Sequence, residues 1–177
     1  YRVTPDGSSV TTLYQMQNSQ SYAPAAGLMV GSDGLLYGTT TFGAVGTTAN
    51  TTGTVYRIKI DGTGFTIVHA FDTWTTSNQS SSPINVEGAY PDSRLIEGSD
   101  GDLYGVTSYG GVNGTGTVFR VGKNGTSFQL LHEFGAGIGF FLRPLLLGRG
   151  QKHFRFDVDQ GCREHQIFSG KIKKPAL

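Results

Sequence analysis

Apolar and polar residues alternate in short runs along most of this chain, and turn residues close each run. Leu95-Ile96-Glu97-Gly98 stops at Asp100-Gly101, and Leu103 to Tyr109 stops at a glycine-rich stretch, Gly110-Gly111, Asn113-Gly114 and Gly116. Thr117 to Val121 is closed by Asn124-Gly125. Phe128 to Phe134 follows, with Phe128, Leu130, His132 and Phe134 alternating onto one face of a strand. Asp-Gly between apolar runs predicts hairpins with type I′ turns, which need positive φ at both central residues. No window carries the i, i+3, i+4, i+7 pattern of a helix. The pattern predicts an all-β chain of short antiparallel strands.

The pattern also repeats. Leu28-Met29-Val30-Gly31-Ser32-Asp33-Gly34-Leu35-Leu36-Tyr37-Gly38 returns 67 positions on as Leu95-Ile96-Glu97-Gly98-Ser99-Asp100-Gly101-Asp102-Leu103-Tyr104-Gly105. Gly53-Thr54-Val55-Tyr56-Arg57 returns 63 positions on as Gly116-Thr117-Val118-Phe119-Arg120. The difference is a four-residue insertion in the first copy, between Gly43 and Gly53. The chain thus divides into a partial copy at 1–16 (the last two strands of a unit), full copies at 25–72 and 92–135, and an atypical basic tail at 136–177. Four antiparallel strands in so few residues predict a β-propeller blade, the tail being irregular; a sandwich or an open stack of hairpins is the competing architecture. A blade cannot bury its faces alone, so residues 1–135 are read as a piece of a longer protein, with open blade edges prone to self-association.

The unit resembles the bacterial GloVer tandem repeat, named for Gloeobacter and Verrucomicrobia-type genomes. The matching residues are Leu-Ile-x-Gly-Ser-Asp-Gly-x-Leu-Tyr-Gly-x-Thr-Ser-Tyr-Gly-Gly at 95–111, Gly-Thr-Val-Phe-Arg-Val at 116–121, and Asn124-Gly125-Thr126 before Leu130-Leu131-His132-Glu133-Phe134. The resemblance implies propeller-like repeats in large secreted or surface-displayed proteins. It brings no active-site motif.

Charge changes the picture at one place. Residues 1–135 hold six Lys/Arg and ten Asp/Glu, whereas 136–177 hold eight and three. The overall +1 hides this switch. The basic charges of the tail are scattered rather than striped, which argues against nucleic acid as a partner. Its apolar run, Ile138 to Leu147, is broken by Arg143 and Pro144 and is too short to span a bilayer. A shifted reading frame after Phe134, a genuine extension and a sorting signal remain alternative readings of the tail. Cys162 is the only cysteine, so no intramolecular disulfide forms.

Candidate chemistry is sparse. Asp33 and Asp100 sit in Asp-Gly turns; Asp100 and Asp102 offer two carboxylates for calcium, but Leu35 replaces the second in the first copy. His69 and His132 occupy equivalent positions where the partial copy has Tyr14, an exchange natural for packing and not for a metal ligand. His153 and His165 in the tail have no evident partners. Gly110 to Gly114 precedes a strand rather than a helix, so it reads as a turn and not as a phosphate loop. Tyr37, Tyr104, Phe42 and Tyr109 recur; they either fill the space between blades or line a glycan-binding face. Trp74, the only tryptophan, lies in a Ser/Thr-rich segment and is the candidate ligand contact. No catalytic set, cofactor motif or metal set is recognised. The expectation is a non-enzymatic surface or secreted scaffold for protein or carbohydrate contact. The alternative is a fragment of a polysaccharide-acting propeller enzyme whose catalytic residues lie outside this chain.

Overall fold

The structure, a computed structural model, describes residues 1–16, 22–24, 26–43, 52–71 and 85–135, with the strand backbones of 142–145, 153–159 and 165–171. Among them there is no helix, and every strand pairing is antiparallel. The partial copy is a two-stranded ribbon of β1 (Arg2–Val3) and β2 (Val10–Thr11). Just ahead of the first full copy lies β3 (Tyr22–Pro24), and the copy itself contains β4 (Met29–Val30), β5 (Leu36–Phe42), β6 (Thr54–Ile58) and β7 (Thr66–Ala70). Both β3 and β4 pair with β5, which pairs with β6, and β6 with β7. The second full copy orders β8 (Ile96–Glu97), β9 (Leu103–Thr107), β10 (Thr117–Val121) and β11 (Gln129–Glu133) in the same way. The bridge of Ala89 to Tyr109 matches the pairing of Tyr22 with Phe42, at the same 67-residue offset.

Two sequence expectations are corrected at residue level. The Asp-Gly hairpins are not type I′, because Asp33 and Asp100 keep negative φ while only Gly34 and Gly101 are left-handed. The N–H of Gly34 donates to the Gly31 carbonyl at 2.9 Å, and that of Gly31 to Leu35 at 2.8 Å. This is a three-residue loop with a left-handed glycine at its end. It is favoured here because Asp33 Oδ1 accepts from the Leu35 N–H. Strict alternation also fails in the last strand of each copy. Val55 faces His69 but Tyr56 faces Ile67, which leaves Val68 as an extra residue; Leu131 is extra in the same way. The bulge sends Val68 into the space between the copies.

That space is the core. Met29, Tyr37, Val55, Val68 and Phe71 of the first copy pack against Leu95, Leu103, Phe119 and Val121 of the second. Burial of each such side chain contributes roughly 1.5–3 kcal/mol. Between the partial copy and the first full copy, Leu36, Tyr56 and Ile58 form a smaller cluster with Tyr14, Met16 and Phe65. The repeat unit is therefore a sheet that completes its core only with a neighbour.

The tail departs from the irregular segment expected. β12 (Leu142–Leu145), β13 (His153–Asp159) and β14 (His165–Lys171) form a three-stranded sheet. The sequence of β13 accounts for this, alternating Phe154, Phe156 and Val158 with Arg155, Asp157 and Asp159. Pro144 falls on the edge strand, where a missing donor is tolerated.

Candidate functional site

Each full copy has two unlike ends. At one end lie the short Asp-Gly and Asn-Gly turns. At the other lie Gly43 and Thr52, which flank residues 44–51 in the sequence, and Phe71 and Asn85, which flank 72–84. Length variation gathers where a rigid scaffold presents its contacts.

The loop end is built on buried threonines. Thr40 and Thr54 share a hydroxyl hydrogen bond of 2.8 Å across β5 and β6, and Thr107 and Thr117 repeat it across β9 and β10. Above them, Phe42, Tyr90 and Tyr109 form a chain of edge-to-face rings. Phe42 and Tyr90 have centroids 5.3 Å apart, as do Tyr90 and Tyr109. Tyr109 is 38% exposed, and Phe42 and Tyr90 are half-buried. Tyr90 is held at φ 58°, and Ala23 at the equivalent position has φ 56°. Hydrogen bonds fix that conformation: the Tyr90 N–H donates to the Thr52 carbonyl at 2.7 Å, and its carbonyl accepts from Ser108 at 3.2 Å. Asp92, exposed and two residues after Tyr90, accepts from the Ser108 hydroxyl at 2.6 Å.

The turn end carries charge instead. Lys123 lies 2.6 Å from Glu97 and 3.8 Å from Asp33, and donates to the Ser32 hydroxyl. Glu97 also accepts from the Ser32 N–H and hydroxyl, so this network crosses the two copies. Burial alone would raise the Glu97 pKa. The hydrogen bonds from Lys123 and Ser32 outweigh it and hold the carboxyl below its ordinary value. Asp33 is lowered in the same sense, burial being overcome by the Tyr37 hydroxyl, the Leu35 N–H and the Lys123 charge. The Tyr37 phenol is pushed up to about 12 by burial and by its hydrogen bond to Asp33. Tyr104 is raised too, for the same two reasons, with Asp100 in the place of Asp33.

The model of the Gloeobacter/Verrucomicrobia repeat matches residues 1–154. The chain belongs to the Gloeobacter/Verrucomicrobia repeat family. No curated protein matches it. The matched span takes in both full copies, the partial copy and the chain as far as the start of β13.

Within this Gloeobacter/Verrucomicrobia repeat chain the sequence candidates separate by place. Tyr37 and Tyr104 are buried between or behind the sheets and donate to turn aspartates at 2.7 and 2.6 Å. Phe42 and Tyr109 stand at the loop end. Asp33 and Asp100 each hold a turn through the N–H two residues on. The second carboxylate, Asp102, lies 3.7 Å from Arg120. His69 stacks on Phe128 at 4.0 Å, meets Phe71 edge-on at 4.9 Å, and has Glu87 at 3.2 Å from Nε2. His132 meets Phe134 at 5.0 Å. The Gly110–Gly114 stretch is a turn whose Gly111 N–H bonds to the Asn85 carbonyl. Among the described residues no group of three or more His, Cys, Asp or Glu could hold a metal, and no helix is long and apolar enough to cross a membrane. Trp74 lies outside the described residues, as do the side chains of His153 and His165. Sequence reasoning missed Tyr90. Extending the 67-residue offset upstream, so that Ala23-Pro24 meets Tyr90-Pro91, is the signal that would have found it.

Proposed function

We propose that this chain is a non-catalytic binding scaffold, displayed on a cell surface or secreted, that contacts carbohydrate at the loop end of its sheets. The units are read as successive blades of a β-propeller, because each presents the same two faces to its neighbours. The supporting observation is the ring chain Phe42, Tyr90 and Tyr109 on a fixed backbone, with Asp92 bonded to Ser108, the residue before Tyr109. An exposed ring such as Tyr109, backed by half-buried rings, supplies rigid apolar area for a sugar face, and a carboxylate accepts from hydroxyls. Trp74, the candidate contact of the sequence, lies outside the described residues and enters the proposal from the sequence alone.

Screening the chain on a glycan panel and on a panel of surface proteins tests this. A glycan that binds should lose about tenfold in affinity with Tyr109→Ala and with Trp74→Ala, the weight of one aromatic contact. Binding left unchanged by both substitutions sinks the assignment of the site. Binding of proteins alone sinks the carbohydrate reading.

A further inference from the structure

Charge in the two full copies is sorted by end. The turn end holds both signs. Arg57 and Arg120 stand where β6 and β10 run out opposite Thr66 and Gln129, Lys59 and Lys123 follow in the turns, and the turn aspartates lie among them.

The loop end holds one sign. Glu133 pairs with Thr117 across β10 and β11, and the Glu87 carbonyl accepts from the Thr117 hydroxyl at 3.1 Å. Asp92 accepts from Ser108, the residue between Thr107 and Tyr109. Three carboxylate residues are thus attached to the frame that carries Tyr109. Among the described residues no Lys or Arg lies at this end, whose titratable cations are His69 and His132. Arg94 is close in sequence only. It follows Ser93, whose hydroxyl bonds to the Val106 carbonyl in the body of β9, and its Cδ lies 4.0 Å from where a Cβ on Gly27 would stand. Residues 44–51 and 72–84 contain Asp72 and no Lys, Arg or His.

A surface of one sign gathers ligands of the other and repels its own. An ammonium is drawn both by a carboxylate and by the face of an aromatic ring. Tyr109, 38% exposed, is such a ring. The rings and the uncompensated carboxylates therefore call for the same chemical group. We propose that the loop end selects amino sugars with free ammonium groups, and that Asp92 sets this preference. The inference rests on the carbohydrate reading of the ring chain and adds the charge of the sugar to it. Asp92 is singled out because it is exposed, whereas Glu87 and Glu133 are half-buried and Glu87 has His69 Nε2 at 3.2 Å. An N-acetylated sugar keeps the apolar face and loses the charge. A uronic acid brings a second negative charge to Asp92 and is rejected.

The test is three matched hexamers titrated calorimetrically into the full chain at pH 6, where the amines of a glucosamine polymer are protonated. They are β-1,4-linked glucosamine, its N-acetylated form, and α-1,4-linked galacturonate. The free-amine hexamer should bind about fivefold tighter than the acetylated one, and galacturonate should not bind. Asp92→Asn keeps an oxygen for the Ser108 hydroxyl and should bring the first two hexamers within about twofold of each other. Asp61→Asn, at the turn end, should leave their ratio unchanged, which separates a placed carboxylate from the attraction of a polycation to any acidic surface. Overturning results are acetylated sugar bound as tightly as free amine, galacturonate bound, a preference that survives Asp92→Asn, or one that Asp61→Asn also removes. Acetylated hexamer that binds without a free-amine preference and is lost with Tyr109→Ala sinks this inference alone and leaves the carbohydrate reading standing. Binding of none of the three overturns it too, and the wider glycan panel then decides the carbohydrate reading by itself.

Discussion

Gly38 and Gly105 follow the buried tyrosines of the motif, and their lack of a side chain is what the neighbouring strand uses. A Cβ on Gly105 would lie 2.5 Å from Cζ of Phe119 and 2.9 Å from Cδ2 of Leu95; one on Gly38 would lie 2.5 Å from the Tyr56 hydroxyl. The aromatic ring of the third strand lies across the glycine of the second, which lets it reach the core between neighbouring copies. Gly105→Ala should therefore destabilise by about 1–3 kcal/mol through overpacking, since Phe119 is fully buried and has no room to yield. Urea unfolding should show a lower midpoint at unchanged slope. A midpoint equal to wild type would mean that the ring can move aside.

At the scale of the elements, the strands were legible in the sequence and the connections between their faces were not. The Asp-Gly, Asn-Gly and Gly-Thr-Val signals marked β4 to β11 because turns and alternation act locally. The bulge at Val68 was hidden, since an apolar residue beside an alternating run reads as part of that run. The Lys123–Glu97–Ser32 network was hidden for another reason. Its two main charges, Lys123 and Glu97, do not recur, Ile60 and Val30 holding their places in the first copy, so comparing the copies gives no sign of it. Of the candidate site, Phe42 and Tyr109 were visible as recurring aromatics, but Tyr90, which joins them, was not.

The network gives the turns of β4–β5 and β10–β11 a pH dependence. Glu97 and Asp33 are held below their ordinary carboxyl values in the folded chain. Their contribution is present above the unfolded values and is lost as pH falls through the lowered ones. Thermal unfolding followed from neutral pH into the acid range should show stability falling across that window. Glu97→Gln should flatten this part of the profile while lowering stability at neutral pH. A Glu97→Gln profile parallel to wild type would exclude the network as its source.

The whole repeat region depends on what couples one sheet to the next. Ionic and aromatic contacts both cross the seam between the two full copies, beside the aliphatic packing of its core. The ionic contacts at the turn end are partly exposed, and such pairs contribute about 0–1 kcal/mol each. The aromatic contact is larger: Phe128 lies against His69 and Phe71 with centroids 4.0 and 5.9 Å away, beside the Phe71–Phe119 pair at 5.1 Å. Truncating Phe128 removes its ring contacts with His69 and Phe71 but leaves the Phe71–Phe119 pair and both hydrogen-bonded ladders in place. Phe128→Ala should cost about 2–4 kcal/mol, less than a fully enclosed ring because Phe128 is only half-buried. In a repeat array, stability divides into intrinsic terms and interface terms, so weakening one interface should separate the opening of its two units. Amide exchange can resolve this. In the wild-type chain, β5 and β6 should share their highest protection with β9 and β10, whereas in Phe128→Ala the second sheet should open at a lower free energy than the first. The first sheet retains the Tyr14–Phe65 stack on its other side, and that asymmetry gives the direction. If both sheets still open together at an equally reduced free energy, the coupling resides in the hydrogen bonds of the Thr39 hydroxyl to the Ser93 carbonyl and of the Tyr90 N–H to the Thr52 carbonyl rather than in the rings.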